Sequence, residues 1–279
     1  MSVKRYGDQS LAHGVNRGPS FAAISDQEVE STVAMRLGGV FGYDDLGRSV
    51  FHRCVVALGI SLLVGFSAAA VAVTIGVGFG AVSGFSGGMV DTGMMRIVDI
   101  LYGLPYILMV ILFRTAFAEP LQQVMGGHAQ LANVGLIVMA IGAVGWLTMA
   151  RVTRGQVLSL KEQLFVEAAR ASGAGTIRIL SRHFLPNLVG PIVVYATLLI
   201  PQAILWESFL SFLGVGVQPP LPSLGRLCAE GVEAVNLFTA FWWRLLFPCG
   251  ILVVTLLSLN FVGDGLRDAI DPKTAKSIG

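Results

Sequence analysis

An all-α polytopic membrane bundle is the fold class that three features of this sequence predict. Of its 279 residues, 54% are hydrophobic and only 13% are charged, against about 25% charged in an average soluble domain. Mean hydropathy is +0.73. Five apolar runs approach or exceed the roughly 20 residues that a helix needs to cross a bilayer. The lipid bilayer is therefore the expected solvent. A net charge of +2, with no basic stripe, gives no reason to expect a nucleic-acid partner.

The elements follow in chain order. Residues 1–42 are polar and mixed in charge, so a poorly ordered segment is expected there. The first twenty residues hold no apolar core of the kind a secretory signal needs. A membrane domain is expected over 43–273, with 274–279 as a short polar tail. Asp44–Arg48 lead into Val50–Val56, which reads as an interfacial segment. Val55–Val82 is free of charge and makes a first span. Gly59, Gly65, Gly76, Gly78 and Gly80 recur in it, a pattern that lets membrane helices approach closely.

Ser83–Arg96 reads as a Gly-rich turn before a second span, Ile97–Ala118. Asp99 lies three residues after Arg96, so the two are expected to pair on one helix face. Pro105 sits where it would kink this span, and Arg114 lies near the far end, where its head can snorkel. Glu119–Asn133 is expected as a loop. Val134–Ala150 makes a third span, stopped by Arg151 and Arg154. Leu188–Gly214 makes a fourth, containing Pro191, Pro201 and Glu207. Gly214–Trp243 is expected as a loop with Trp242 and Trp243 as an interfacial belt. Leu245–Val262 makes the fifth span.

The densest charge lies between the third and fourth spans, over 151–187. It includes Lys161, Glu162, Glu167, Arg170, Arg178, Arg182 and His183. Glu162–Ser172 is rich in helix formers, with Leu164, Phe165, Ala168 and Ala169 apolar at helical spacing. Gly173 and Gly175 break the pattern, and Thr176–Phe184 resumes it with Ile177, Ile179, Leu180 and Phe184 apolar. Two short helices joined by a glycine turn are expected. Lys and Arg near spans mark the cytoplasmic side, which places 151–187 and the C-terminal tail there. Five spans then put the N-terminal segment outside, although it carries Lys4, Arg5, Arg17, Arg36, Arg48 and Arg53.

Chemistry is sparse. Gly84–Gly87 reads GFSG, as in the GxSG of intramembrane serine proteases, but such a serine needs a histidine within reach. No predicted span contains one, and a glycine turn is the better account. His13, His52, His128 and His183 lack metal-ligand spacing, and Cys54, Cys228 and Cys249 read as apolar fillers. The chain has no phosphate-binding loop of the GxxxxGK[ST] type. No catalytic, metal-binding or cofactor-binding residues are assigned to it. Pro105 and Pro201 are helix kinks or marks of a solute path. Glu207 is either a functional carboxylate or a side chain facing the interface near its helix end.

The 151–187 stretch also carries a resemblance. EAARASG at Glu167–Gly173, followed by HFLPN at His183–Asn187, is similar to the EAA loop of binding-protein-dependent ABC importer permeases. DDLGRSVFHR (Asp44–Arg53), LSFLGVGVQPPLPSLGRL (Leu210–Leu227) and NFVGDGLRDAIDPK (Asn260–Lys273) resemble the C-type subunit of dipeptide and oligopeptide importers. The resemblance implies the type I importer permease fold and a transport subunit without its own ATPase site. It implies that Glu167, Ala168, Ala169, Gly173, His183, Pro186 and Asn187 form the ATPase-coupling loop. The implied partners are a homologous permease forming a heterodimer, two cytoplasmic ATPase subunits holding ATP and Mg, and an extracytoplasmic solute-binding protein. The implied location is the bacterial inner membrane. Peptides are the implied solute, with nickel or another small solute as the alternative. An ion-coupled secondary transporter is the rival class outside the resemblance. Members of this family usually carry a further span before the D-x-L-G-R stretch, and none is visible here. A shifted start and a true divergence are the two explanations.

Overall fold

The structure, a computed structural model, describes residues 41–124, 129–172, 175–179, 182, 184–235 and 241–270. The expected disorder of the N-terminal segment, and Gly173, Leu180 and His183 of the charged stretch, lie outside them. The helices, in chain order, are α1 (Val50–Ser86), α2 (Gly88–Tyr102), α3 (Tyr106–Val124), α4 (Ala129–Lys161), α5 (Leu164–Ala171), α6 (Thr176–Ile179), α7 (Leu185–Phe212), α8 (Leu224–Ala234) and α9 (Trp243–Ile270). Four of these (α1, α4, α7 and α9) are long and apolar enough to cross a membrane. The pair α2 and α3, bent by 95° at its break, makes a fifth candidate. The described chain is all-α, as its hydropathy predicts.

Several boundaries move, each for a physical reason. The turn expected over Ser83–Arg96 shrinks to the break between α1 and α2, where Gly87 at φ 66° and Gly88 at φ 57° redirect the chain. A side chain is strained at such angles and glycine is not. The second span is two helices, not one kinked helix. Pro105 disfavours helix at Leu104, and α2 ends at Tyr102, capped by Gly103, whose N–H donates to the carbonyls of Asp99 and Ile100. The helix of the third span runs on past Arg151 and Arg154 to Lys161. Both sit inside α4, because carboxylates on α2 receive them. The loop expected over Glu119–Asn133 is helical at both ends, with Pro120 inside α3. The loop expected over Gly214–Trp243 contains α8, capped by the Ser223 hydroxyl accepting from Arg226 N–H. The last helix outruns the fifth span expected over Leu245–Val262, since α9 runs from Trp243 to Ile270.

The chain divides into two compact units whose boundaries fall inside α1, α7 and α9. In the unit made by residues up to Leu62 and Glu207–Thr255, Val50, Cys54, Ala57, Leu224, Leu227 and Trp243 form the core. Trp243 is thus a core residue, not half of an interfacial belt, and its indole N–H donates to the Tyr43 carbonyl at 3.4 Å. Trp242 stays exposed. The segment before α1 is a turn built on the buried Asp44. Its carboxylate accepts from the Leu46 and Arg48 N–H groups and from the Arg48 and Arg53 guanidinium groups. Arg53 also pairs with Glu230 at 2.7 Å.

In the second unit, Leu63–Trp206 and the chain from Leu256 onward, α1 and α4 run against each other. A Cβ at Gly80 would lie 2.3 Å from the Ala150 carbonyl, and one at Gly76 would lie 2.6 Å from the Met149 Cβ. Gly65 packs on Ile204 in the same way. Gly59 and Gly78 have open space instead, so three of the five glycines in the run serve close packing.

Candidate functional site

The two short helices of the charged stretch are present as α5 and α6; Ile179 of the second is buried, and in the first the buried side chain is Val166, outside the apolar set at helical spacing. Leu164 is 81% exposed and Phe165 is 39% exposed, while Val166 is fully buried. Val166 packs with Ala81 of α1, Val157 of α4, Ile179 of α6, and Phe184 and Leu188 at the start of α7. Phe85 meets Phe184 edge-on at 5.6 Å. One side chain thus plugs α5 into the ends of three long helices. Eight residues form barely two turns, too few for an isolated helix to be stable in water, so this burial is what holds α5 in place.

Glu167 is exposed on α5, and the backbones of Ala168 and Ala169 are helical beside it. Pro186 and Asn187 are exposed at the start of α7. The structure brings these residues to one end of the second unit through the Val166 cluster. The exposed surface of α5 combines an apolar side chain, Leu164, with a carboxylate, Glu167. That combination suits a protein partner in water better than lipid.

An ion-pair network joins α2 to α4. Arg154 donates two hydrogen bonds of 2.6 Å to the two oxygens of Asp91, in the fork geometry that makes such pairs strong. The Ser83 hydroxyl donates to the same carboxylate. The Lys161 ammonium donates to the Gly84 carbonyl at 3.2 Å. Arg151 donates to Asp99 at 2.9 Å and lies 4.0 Å over the Tyr102 ring. Asp99 therefore pairs across to α4, not with Arg96 on its own helix. These bonds tie α2 to the end of α4 that leads into α5. No single-sequence signal marks Asp91 and Arg154 as partners, since they stand 63 positions apart.

Pro105 is exposed at the break between α2 and α3, and Pro201 is buried inside α7. The residues beside each, Leu104 and Tyr106 on one side and Gln202 and Ala203 on the other, line a common cavity of about 270 Å³.

Glu207 does not face an interface. It is fully buried. The Ser61 hydroxyl donates to it at 2.8 Å and the Ser211 hydroxyl at 2.6 Å, with Ser208 at 3.4 Å. Ser211 in turn accepts from Val217 N–H, and Ser61 accepts from Leu224 N–H. The loop 213–223 is thereby fastened to α1 and α7. A Cβ at Gly225 would fall 2.0 Å from the Ser208 carbonyl, so the run from Gly214 to Gly225 closes on α7 only with glycine there. The Glu207–Ser211 spacing, one helical turn, was the visible sign of this cluster. The Ser61 partner had none.

Comparisons with known proteins bear on this arrangement. The model of the family described as binding-protein-dependent transport system inner membrane component matches residues 76–276. The chain is 45% identical over 233 residues to the dipeptide transport system permease protein DppC of Bacillus subtilis, across 84% of this chain and 68% of that protein. It is 48% identical over 245 residues to the oligopeptide transport system permease protein OppC of Escherichia coli K12, across 88% and 76%. Among solved structures, the inward-facing MetNI methionine ABC transporter matches with a TM-score of 0.60 at 18% identity, across 79% of this chain and 97% of that one. At that identity the likeness concerns the fold.

Proposed function

The chain belongs to the family of binding-protein-dependent transport system inner membrane components, and from that premise we propose that it is the membrane-spanning permease subunit of an ATP-driven peptide importer. Its relatives DppC and OppC carry the names of dipeptide and oligopeptide systems. In this reading the chain forms half of a solute pathway with a homologous permease. ATP and Mg belong to two ATPase subunits in the cytoplasm, and solute arrives from an extracytoplasmic binding protein. The 151–187 stretch and the C-terminus face the cytoplasm of a bacterial cell, because the Lys and Arg residues cluster there.

The observation that carries the coupling role is the way α5 is mounted. Its outer face is free to be gripped, with Leu164 and Glu167 exposed, while Val166 is locked among residues of α1, α4 and α7. A closely packed cluster of this kind moves as a unit. When the ATPase subunits close on ATP, a push on α5 is delivered to those three helices together. The Asp91–Arg154 fork carries α2 along with α4. The outcome is alternating access by rigid-body rocking. Glu167 supplies an acceptor for charge-assisted hydrogen bonds from the ATPase, and Ala168 and Ala169 permit close approach of its backbone. The role of Gly173 and His183 in the same loop rests on the resemblance of their motif.

The test is uptake of a labelled peptide into vesicles that hold the whole transporter. Uptake driven by ATP and indifferent to collapse of ion gradients is the expected result. Uptake that survives without ATP and stops with the gradient overturns the reading in favour of an ion-coupled transporter. Uptake of nickel in place of peptide overturns the choice of solute alone.

A further inference from the structure

The cavity of about 270 Å³ in the second unit has a chemistry of its own. No Asp, Glu, Lys, Arg or His is among its lining residues. The wall therefore offers a charged end of a solute no counter-charge, and a charge taken out of water without one is costly. Two exposed polar side chains, Thr148 of α4 and Gln202 of α7, stand in a wall that is otherwise mostly apolar and aromatic. Gln202 can both donate and accept, and a hydroxyl can do either. A peptide unit offers one N–H and one C=O. Tyr106 and Trp206 stack in the wall with ring centroids 4.2 Å apart. The indole N–H of Trp206 is buried and, among the described residues, has no acceptor. A buried donor without a partner calls for an explanation, and an amide carbonyl is the kind of acceptor it lacks.

We propose that this cavity is a solute subsite for the uncharged interior of a peptide, holding one apolar side chain and its adjoining backbone amide. The inference rests on the peptide-permease reading and deepens it. The volume fits a part of a solute, because whole-ligand pockets run from about 300 to 1,000 Å³. The position fits as well. The α2–α3 break, with its 95° bend, forms one side, and interrupted helices are where membrane proteins place polar contacts to a solute. The aromatic pair supplies a flat apolar surface for the side chain, while Gln202 and Thr148 hold the amide.

The experiment uses the complete transporter in proteoliposomes: this chain, its permease partner, the ATPase subunits and the binding protein. The probes are labelled Ala-Ala-Ala and Ala-Phe-Ala. Thr148→Phe fills the cavity and should lower uptake of Ala-Phe-Ala relative to Ala-Ala-Ala by about tenfold, the order of discrimination a reshaped apolar pocket gives. Gln202→Leu keeps the volume and removes the amide contact, so the KM for both peptides should rise by about tenfold with little change in kcat. An unchanged ratio in the first variant together with an unchanged KM in the second overturns the subsite. A parallel fall of both peptides with unchanged KM also overturns it, since that marks general damage. A wild-type transporter that imports neither peptide with ATP sinks the peptide reading itself, whereas an active wild type with unresponsive variants sinks only the subsite.

Discussion

Two stretches interrupt the apolar course of this chain with polar residues, and they use those residues in opposite ways. The segment around α5 turns them outward. Glu167 is exposed, and among the described side chains of the helix Val166 is the buried one. The segment from Glu207 to Ser223 turns them inward. Its carboxylate is fully buried and its serines are spent on that carboxylate and on the loop backbone. The first leaves its charge to the surroundings and the second holds itself together. Charge density alone does not separate the two cases. What separates them is whether the chain supplies partners for its own polar groups.

That contrast can be broken by mutation, and the largest effect belongs to the inward-facing stretch. Glu207→Leu leaves the Ser61 and Ser211 hydroxyls without their acceptor, and should destabilise the protein by about 3 kcal/mol. Thermal unfolding in detergent would report it. Glu207→Gln keeps an acceptor and should retain most of that stability. Equal melting of wild type and Glu207→Leu would show that the cluster holds nothing. Next comes Arg154→Met, which strands the buried Asp91 with the Ser83 hydroxyl as its side-chain hydrogen-bond donor among the described residues. The expected loss is about 2 kcal/mol, with ATP hydrolysis no longer matched by uptake. Coupled uptake at wild-type efficiency would detach the Asp91–Arg154 fork from transmission.

Val166→Ala should follow, at about 1.5 kcal/mol for the lost methyl groups and the gap they leave. Its signature is faster proteolysis within α5 while the long helices stay protected. Protection of α5 equal to wild type would mean that other contacts mount it. Glu167→Lys is the smallest in stability, within about 0.5 kcal/mol as for other exposed positions. It is also the most damaging to partnership. The two regions should therefore rank in opposite orders for stability and for assembly.

Much of the fold was legible because apolar length and helix are tied together in a bilayer, where backbone groups have no water to bond. The five spans, the glycine-assisted packing of α1 and the pair of short helices all follow from that. The boundaries were not legible, because they depend on partners distant in sequence. Arg151 and Arg154 look like stop signals until Asp99 and Asp91 are seen across from them. Trp242 and Trp243 look alike as a pair, yet Tyr43 and the core around Cys54 take one and leave the other exposed. In the candidate coupling segment, helical spacing grouped Leu164 and Phe165 with Ala168 and Ala169 and passed over Val166. The start of α7 and the ends of α1 and α4 chose Val166 instead. Glu207 read as a lone membrane carboxylate because Ser61 is 146 positions away.

The account stands most directly on whether the outward face of α5 is what the ATPase subunits grip. The measurement is co-purification of those subunits with the double variant Leu164→Asp and Glu167→Lys, alongside its melting temperature. The predicted result is a loss of association of about tenfold or more, equivalent to about 1.4 kcal/mol, with an unchanged melting temperature. Association and ATP-driven uptake at wild-type levels in that variant would contradict it.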